Sequence, residues 1–381
     1  MEELKNTFIK KCSDFATKPI QKLLDDLSAS SDVAEINLCG SHKQLFNSRV
    51  QPMQVFALCE ALAPDTNIVT LDLSTNFLND MAAQAVAGLI KASHTLKFIN
   101  LGSNEIGPIG AGHLASALTA PGCVLQALSL GSNPLEDAGV MSLAGALATA
   151  TSLCALDISN VRVGVKGLVA VCSALGAEGG GNTSVQVLDI GAPVIHMQQD
   201  TTVLSISRML AANTTLTELG LSKHGLVDSQ LETLVSYGLL RNSSLTSLDL
   251  RANRLSGFSG PQLERLVADR QRLASLNLAH NMLGDAGALG LARCLPYCHW
   301  LCALDLRHNN IGEQGLVALA EVLPLAGHLQ SLLLWGNQMG TAACRALADA
   351  LEQAGGSLVT DIRAYEVDGR AQVALVDVEE L

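Results

Sequence analysis

The sequence is poor in aromatic residues and in positive charge. Phe, Trp and Tyr together make up 3% of its 381 residues, so the core is expected to consist of thin layers of Leu, Ala, Val and Gly. The 36 acidic residues outnumber the 24 Lys and Arg residues, and the formal net charge is −12. This balance argues against binding nucleic acid or an acidic membrane through bulk charge, because both need a basic surface. It would favour a protein partner with a basic patch.

The sequence also lacks any segment typical of export or membrane insertion. No run approaches the roughly 18 apolar residues of a membrane-spanning helix. The start, MEELKNTFIKKCSDF, carries charges throughout and has no apolar stretch of a secretory signal. The ten cysteines are scattered, without the compact spacing of a disulfide scaffold. We therefore expect reduced thiols and a cytoplasmic protein, with the cytoskeleton, the cilium and the nucleus left open as locations.

One spacing of apolar residues recurs along most of the chain. In residues 301–309 it reads L-x-x-L-x-L-x-x-N, and most copies start 28 or 29 residues after the previous one. Repetition at such a period predicts a solenoid, in which each unit buries its apolar face against its neighbours. Eleven copies begin at Val33, Ile68, Leu96, Leu125, Leu153, Val185, Leu216, Leu245, Leu273, Leu301 and Leu329.

Each copy predicts a short strand followed by a helix. The L-x-L alternation has the period of a strand, so its leucines point one way and the residue between them the other way. The asparagine that follows is expected to bond backbone groups of the turn and of the adjacent repeat, forming a ladder. In GLVALAEVL (315–323) the apolar residues fall at i, i+3, i+4 and i+7, as on one face of a helix.

This pattern resembles the leucine-rich repeat of the ribonuclease-inhibitor type, which also occurs in Ran GTPase activators and in the sensing domains of NOD-like receptors. The resemblance covers roughly residues 33–357. It implies an α/β fold, a curved leucine-rich-repeat solenoid or horseshoe of about eleven repeats, with parallel strands on the concave face and helices on the convex face. It implies little about function, because the family is defined by its scaffold.

The two ends of the chain depart from the repeat and are expected to cap the solenoid. Residues 1–32 carry an amphipathic helical pattern, which predicts an N-terminal helical cap. In residues 358–381, Asp368–Gly369 lies between two β-prone runs, which predicts a capping hairpin. A strand that docks a partner is the alternative for this segment.

An irregular section interrupts the solenoid at residues 159–202. Between Asn133 and Asn253 the position of the ladder asparagine is occupied by Val161, Pro193 and His224, and glycine-rich and proline-containing insertions lengthen the repeats. Three successive departures predict an irregular rim, either a local change of curvature or a partner contact. A relaxed interruption without function is the alternative.

Polar residues of the predicted concave face supply the candidate partner-binding site. The position between the two strand leucines holds Asp249 and Asp305, with acidic counterparts at Asp72, Asp157 and Asp189. These aspartates predict either a solvated strand face or an acidic stripe for a basic partner. Two or three positions later the C-terminal repeats carry Arg, His and Trp, which are residue types that anchor interfaces. The predicted partner-binding residues are Asp249, Arg251, His280, Asp305, Arg307, His308 and Trp335.

Enzymatic chemistry finds no support in the sequence. Asp305, Arg307 and His308 lie within four residues, but no serine or cysteine is placed beside them as a nucleophile. A flat, wet strand face is also a poor place to shift pKa values. We therefore expect no catalytic residue and a protein that is not an enzyme.

Three further motifs are explained by the repeat itself, and we expect neither a cofactor nor a metal. Cysteines 294, 298 and 302 are spaced by four, but zinc needs four ligands and only His299 is nearby. GPIGAGHLAS (107–116) mimics a phosphate loop without its G-x-x-x-x-G-K-[ST] pattern. The glycosylation-like triplets at Asn182, Asn213 and Asn242 all precede a predicted strand.

The leading functional hypothesis is a non-enzymatic scaffold that binds one or more protein partners on its concave face. We place it in a larger intracellular complex, with cytoskeletal and ciliary complexes as the settings considered. The alternative is a regulator of another enzyme, such as a Ran-type GTPase activator or a ribonuclease-inhibitor-like inhibitor. Against these, no distinctive activator motif is found, and the concave face has few aromatic residues. The sequence predicts neither the partner's identity nor the oligomeric state.

Overall fold

The structure is a computed structural model that describes residues 1–30, 32–64, 67–176, 181–195, 199–268, 272–354, 358–367 and 370–376. The chain divides into two compact units, Met1–Gln198 and Gln199–Leu381. The division falls inside the section that the sequence predicts to be irregular. Each unit is described by itself.

The first unit consists of two leading helices followed by alternating strands and helices. Helices α1 and α2 span Glu2–Asp14 and Gln21–Ala29. The strands are β1 (Glu35–Asn37), β2 (Thr70–Asp72), β3 (Phe98–Asn100), β4 (Ala127–Ser129), β5 (Ala155–Asp157) and β6 (Val187–Asp189). The helices between them are α3 (Pro52–Leu62), α4 (Asp80–Ala92), α5 (Pro108–Leu118), α6 (Glu136–Leu147) and α7 (Val165–Gly176).

The second unit continues the same alternation and ends in an antiparallel pair of strands. Its repeat strands are β7 (Glu218–Gly220), β8 (Ser247–Asp249), β9 (Ser275–Asn277), β10 (Ala303–Asp305) and β11 (Ser331–Leu333). Its helices are α8 (Gln199–Ala212), α9 (Asp228–Tyr237), α10 (Gly260–Ala268), α11 (Gly284–Cys294), α12 (Glu313–Val322) and α13 (Thr341–Gln353). The antiparallel strands are β12 (Ile362–Val367) and β13 (Arg370–Leu375). None of the helices within the described ranges is both long and apolar enough to cross a lipid bilayer.

The predicted repeat is confirmed by the strand positions. Each of the eleven repeat strands begins two residues after the apolar residue that opens its copy. Within each unit adjacent strands pair in parallel and in register, so Leu276 faces Leu304 and Leu304 faces Leu332. The prediction of an α/β leucine-rich-repeat solenoid with about eleven repeats is therefore confirmed.

The core lies between the strand layer and the helix layer. In the tenth repeat Leu304, Leu306, Leu316 and Leu319 are at most 1% exposed. Burying a leucine side chain stabilises a fold by roughly 1.5–3 kcal/mol, so the repeated leucines supply the main driving force. The helices stack in chain order, with α11 between α10 and α12, and each strand–helix unit shares its core with its neighbours.

The predicted asparagine ladder is present. Asn309 is fully buried, and its amide nitrogen donates to the carbonyls of Leu306 in its own repeat and Leu278 in the previous one. Its backbone N–H donates at 3.0 Å to the side-chain oxygen of Asn337 in the next repeat. Buried backbone groups need partners, and these bonds supply them at a turn that neither strand nor helix satisfies.

The residue before each ladder asparagine has a left-handed backbone conformation, which the sequence did not indicate. Its φ is 55° at Ser103, 58° at His280 and 53° at His308. Left-handed backbone costs a non-glycine residue roughly 1–2 kcal/mol. Hydrogen bonds to the next repeat hold it, as where the His280 N–H donates to the Arg307 carbonyl at 2.8 Å.

Both ends of the chain contact the repeats next to them. At the N-terminus α1 packs on α3 and buries Phe8 completely. At the C-terminus Val359 bridges to Ser331, and the Asp361 carboxylate accepts from the N–H groups of the chain leaving β11. Strands β12 and β13 lie where the sequence predicts a hairpin, while Asp368–Gly369 lies outside the described residues. The assignment of both segments as caps stays a prediction.

The irregular section keeps its strands. β5 and β6 pair in the usual register although Val161, which is fully buried, replaces the ladder asparagine after β5. The lengthening lies in the connections after α7 and β6, parts of which (177–180 and 196–198) are outside the described residues. A contact or a change of curvature in this section therefore stays a prediction.

Candidate partner-binding surface

The seven predicted site residues all lie on the exposed side of the strand layer in the second unit. Asp249 and Asp305 end β8 and β10, and the other five follow strands β8 to β11 by two or three residues. Arg251, His280 and His308 are exposed, whereas Asp249, Arg307 and Trp335 are half-buried and Asp305 is 8% exposed. We call this set the C-terminal strand surface.

His280 and His308 form a stacked pair at the centre of this surface. Their ring centroids are 4.4 Å apart and the ring planes differ by 14°. The stack follows from the left-handed backbone at both positions, which aims equivalent side chains of adjacent repeats the same way. Gly336, at the equivalent position of the next repeat, leaves room for the His308 ring, since a Cβ there would lie 2.3 Å from its Nδ1.

Arg307 and Asp305 form a bidentate ion pair beside the histidines. The Arg307 Nε and Nη2 atoms donate to the Asp305 carboxylate at 2.7–3.1 Å. The prediction that Asp305 belongs to a solvated face was wrong, because the Arg307 side chain lies over its carboxylate and buries it. Asp305 in turn raises the pKa of the Arg307 guanidinium. The pair is a fixed feature of the surface, with the guanidinium as its exposed part.

Arg251 differs from Arg307 because, among the described residues, its guanidinium has no partner. Its backbone N–H donates to Asp249 at 2.7 Å. Within the described ranges, however, its guanidinium makes no hydrogen bond or ion pair in the chain. An exposed guanidinium without an internal partner is available for the bidentate recognition of a carboxylate or a backbone carbonyl.

The aspartates that recur at the strand ends have a structural role. Each accepts a hydrogen bond from the backbone N–H two residues later, as in Asp72 with Ser74 at 2.8 Å and Asp157 with Ser159 at 2.9 Å. The same bond forms at Asp189, Asp249 and Asp305. It stabilises the turn that leaves each strand, as Asp and Asn side chains commonly do. This explains the recurring LDL and LDI without a ligand, although a half-buried carboxylate such as Asp157 can still face a basic partner.

The phosphate-loop-like segment is an ordinary helix start. Gly107 precedes α5, and its N–H donates to the Asp80 carboxylate of the previous repeat at 2.6 Å. A Cβ added at Gly110 would lie 2.6 Å from the same carboxylate. The Asp80 side chain therefore takes the place that a phosphate occupies at an anion-binding helix N-terminus.

The cysteine and glycosylation-like motifs are also structural. Burial raises the pKa of the Cys294 thiol to about 12, whereas a metal ligand must be a thiolate. Among the described residues, no group of three or more His, Cys, Asp or Glu side chains is placed to hold a metal ion. Asn182, Asn213 and Asn242 are 5–8% exposed, and the Asn242 amide donates to the carbonyls of Leu210 and Asn213. Asn182 and Asn242 thus connect adjacent repeats, which fits the expectation that the repeat explains these triplets.

The surroundings of His280 lower the pKa of its imidazole. Burial lowers the pKa of its imidazole below the ordinary value, and the neighbouring His308, Arg251 and Arg307 lower it further, while Asp305 raises it. The folded state therefore binds fewer protons than the unfolded state. His280 contributes stability above the unfolded pKa of about 6.5, and this contribution is lost as the pH falls through the folded pKa.

We expect Arg251→Ala to raise the pKa of His280 toward the ordinary value, because it removes one of the positive charges that oppose protonation. An NMR titration of the His280 ring measures this shift. Arg251→Lys keeps the charge and should leave the pKa close to that of the unmodified chain. Equal pKa values in all three chains would contradict this assignment.

Comparisons with known proteins agree with the fold. A family model described as Leucine Rich repeat matches residues 92–115, 123–144, 273–292 and 297–320. Ribonuclease inhibitor from Sus scrofa is 27% identical over 168 residues, which are 44% of this chain and 36% of the inhibitor. NACHT, LRR and PYD domains-containing protein 5 from Bos taurus is 29% identical over 230 residues, which are 60% of this chain and 20% of that protein.

A third relative, NACHT, LRR and PYD domains-containing protein 9B from Mus musculus, is 32% identical over 119 residues, which are 31% of this chain and 12% of that protein. The match thus spans well under half the length of each of these relatives. Together with the strand register and the asparagine ladder, the matches define a leucine-rich-repeat protein of the ribonuclease-inhibitor type.

Proposed function

We propose that the chain is a non-enzymatic scaffold that binds a protein partner across the C-terminal strand surface, within a larger intracellular complex. The observation that carries this proposal is a set of exposed and half-buried cationic and aromatic groups on the strand layer. Arg251 has no side-chain partner in the described part of the chain, and the His280–His308 stack lies beside it.

The surface has the composition and the rigidity of an interface anchor. Arg and Trp are enriched among residues whose removal costs the most binding energy. Arg307 is held by two-point bonding to Asp305, and the backbone N–H of Trp335 is held by Asp361. Side chains that are already ordered lose less conformational entropy on binding, which favours affinity.

The partner is proposed to be a protein, and neither nucleic acid nor a membrane. The net charge of −12 supports this, since it opposes both. A partner segment that meets Arg251 would carry carboxylates or carbonyls, whereas the aspartates of the first unit would suit a separate basic patch. We further propose a cytoplasmic location, with cytoskeletal and ciliary complexes as the first settings to examine.

A second proposal is the regulation of another enzyme. The matched protein from Sus scrofa is by its name an inhibitor of a ribonuclease, and its repeats align with 44% of this chain. Inhibition of a ribonuclease and stimulation of Ran GTP hydrolysis are both measured directly with the purified chain. A stoichiometric effect in either assay would favour this proposal over a passive scaffold.

Affinity capture with a matched pair of triple variants tests the leading proposal. We expect Arg251→Ala, Arg307→Ala and Trp335→Ala together to weaken the capture of specific partners at least tenfold, because the variant removes the anchors and leaves Asp305 without its cation. Quantitative mass spectrometry of proteins captured from cells that express the chain measures the loss.

The control variant replaces two arginines and one aromatic residue on other surfaces of the second unit. Arg265, Arg293 and Tyr237 are exposed and lie on the helices, so their alanine variants should capture the partners normally. Equal capture by the unmodified chain and both triple variants would contradict binding at the C-terminal strand surface.

A further inference from the structure

A hollow of about 310 Å³ crosses strands β2 to β6 on the exposed face of the strand layer in the first unit. It arises from the sizes of the side chains at the first position of each strand. Phe98 on β3 is 41% exposed and stands at one side, and Val187 on β6 stands at the other. The two strands between them carry only the methyl groups of Ala127 and Ala155. Adjacent strands lie about 4.8 Å apart, so the surface from β2 to β6 is roughly 19 Å wide.

Two parallel rows of side chains line the hollow. Side chains alternate along a strand, so the first and third residues of each strand share the exposed face. The first residues, which include Phe98 and the two alanines, form a mostly apolar row. The third residues form a polar row, which consists of Asp72, Asn100, Ser129, Asp157 and Asp189. The hollow is therefore amphipathic, with apolar groups along one side and carboxylates along the other.

Uncompensated negative charge lies along the polar row. Neither row contains a lysine or an arginine, and Glu35 on β1 adds a carboxylate beside Thr70. The carboxylates of Asp72 and Asp157 form no ion pair with any part of the chain that the structure describes. Asp157 accepts instead from neutral donors, the Ser159 N–H at 2.9 Å and the Ser129 hydroxyl at 2.8 Å. Neutral donors orient a carboxylate but leave its charge in place, so this row attracts a positive partner.

Strands β2 to β5 have no free backbone edge under the hollow. Each of them is paired on both sides, so the sheet itself uses their backbone groups. A partner segment that lies over the hollow must therefore satisfy its own backbone groups, because buried N–H and C=O groups need partners. An α-helix does so along its length, whereas an extended segment does not. A helix of about 13 residues spans the roughly 19 Å from β2 to β6.

We propose that the hollow binds a basic, amphipathic α-helix of a partner protein, which lies across strands β2 to β6. Apolar side chains of the helix contact Phe98 and enter the space above Ala127 and Ala155. Lys or Arg side chains on one flank of the helix reach the aspartates of the polar row. The apolar contacts supply affinity, as in other helix-in-groove complexes, and the charges fix the orientation of the helix and exclude acidic partners.

This site does not depend on the C-terminal strand surface. It lies wholly within the first unit, and none of the residues proposed to anchor a partner in the second unit lines it. The two surfaces also differ in charge, since Arg251 and Arg307 favour an acidic partner segment and the hollow favours a basic one. The failure of one proposal therefore leaves the other intact.

A display library of helical peptides, selected against the full chain, tests the proposal. Each peptide is a helix of about 18 residues, roughly 27 Å long, in which the positions of one face are randomised. We expect the enriched peptides to carry an apolar stripe flanked by Lys or Arg. Binding of a synthetic enriched peptide should weaken as the salt concentration rises, because salt screens exposed charges.

Two variants of the chain test the two rows separately. Asp157→Asn combined with Asp189→Asn removes charge and keeps the turn, since Asn100 accepts the same backbone bond at the equivalent position of β3. Ala127→Phe fills the hollow with the side chain that Phe98 carries at the paired position of the adjacent strand. Each variant should bind the synthetic peptide at least tenfold more weakly than the unmodified chain does, with an unchanged circular dichroism spectrum.

A proline substitution in the peptide tests whether the bound segment is a helix. Proline in the middle of the peptide, on the face that points away from the chain, breaks the helix and removes no contacting side chain, so binding should be lost. The chain with alanine at Arg251, Arg307 and Trp335 should bind the unmodified peptide normally. The proposal is overturned if no peptide of this pattern is enriched, if either hollow variant binds as tightly as the unmodified chain, if the proline peptide binds equally well, or if the triple alanine variant loses binding.

Discussion

Replacing Asn309 by alanine is expected to lower the free energy of unfolding of the second unit by about 3 kcal/mol. The change removes the amide that bonds the carbonyls of Leu278 and Leu306 at 2.8 and 3.1 Å, and each carbonyl keeps one bond from the amide of a neighbouring ladder asparagine. It also removes the oxygen that accepts from the Leu283 N–H. An unsatisfied buried group costs roughly 1–3 kcal/mol, and the cavity left by the amide adds to this cost. Urea denaturation followed by circular dichroism measures the loss.

The adjacent residue provides a matched control for Asn309. Asn310 is exposed and has a left-handed φ of 54°, and its side chain accepts a single bond, from Gln338. Asn310→Ala should lower the free energy of unfolding by about 1 kcal/mol, because alanine tolerates the left-handed backbone less well than asparagine does. If the two variants lost equal stability, the ladder would contribute nothing beyond the local turn.

The strand positions and the ladder could be predicted from the sequence because both depend on spacing alone. A leucine at every second residue fixes which side of the strand is buried, and an asparagine three residues after the last leucine fixes where the turn needs donors. All eleven copies share the apolar spacing and seven carry the asparagine, so an error in one copy is corrected by its neighbours. The loss of the asparagine at Val161 was visible for the same reason, although the structure shows that β5 and β6 pair normally beside it.

The burial of Asp305 could not be predicted, because it depends on the conformation of a neighbouring side chain. Asp249 and Asp305 occupy equivalent positions and are each followed two residues later by arginine. Yet only Arg307 folds back over its aspartate, and Arg251 extends into solvent. The left-handed backbone of the residues before the ladder asparagines could not be predicted either, since residues as different as Ser103, Ala252 and His280 adopt this conformation. The inter-repeat hydrogen bond, rather than the residue type, selects that conformation.

Replacing Gly40 by alanine is expected to have the largest effect in the first unit, a loss of about 3 kcal/mol. A Cβ at this position would lie 1.9 Å from the Thr75 carbonyl oxygen and 2.8 Å from its carbon. Both atoms belong to the backbone of the next repeat, and the Gly40 N–H already donates to the Ser74 carbonyl at 2.8 Å. The clash can be relieved only by moving the first repeat away from the second. Overpacking typically costs about 1–3 kcal/mol, and a clash with backbone belongs at the upper end of that range.

Gly88 is the control for Gly40, and its replacement by alanine should change the stability in the opposite direction. It lies within α4, and apart from its neighbours along the chain and the backbone of its own helix, no described atom would lie within 4 Å of an added Cβ. Alanine inside a helix is favoured over glycine by roughly 0.5–1 kcal/mol, so Gly88→Ala should raise the urea midpoint while Gly40→Ala lowers it. Hydrogen exchange should show that protection lost on Gly40→Ala centres on the β1–β2 pair, at amides such as Leu38, which donates to Asp72. Unchanged protection at that pair would mean that the first repeat accepts the methyl group without separating from the second.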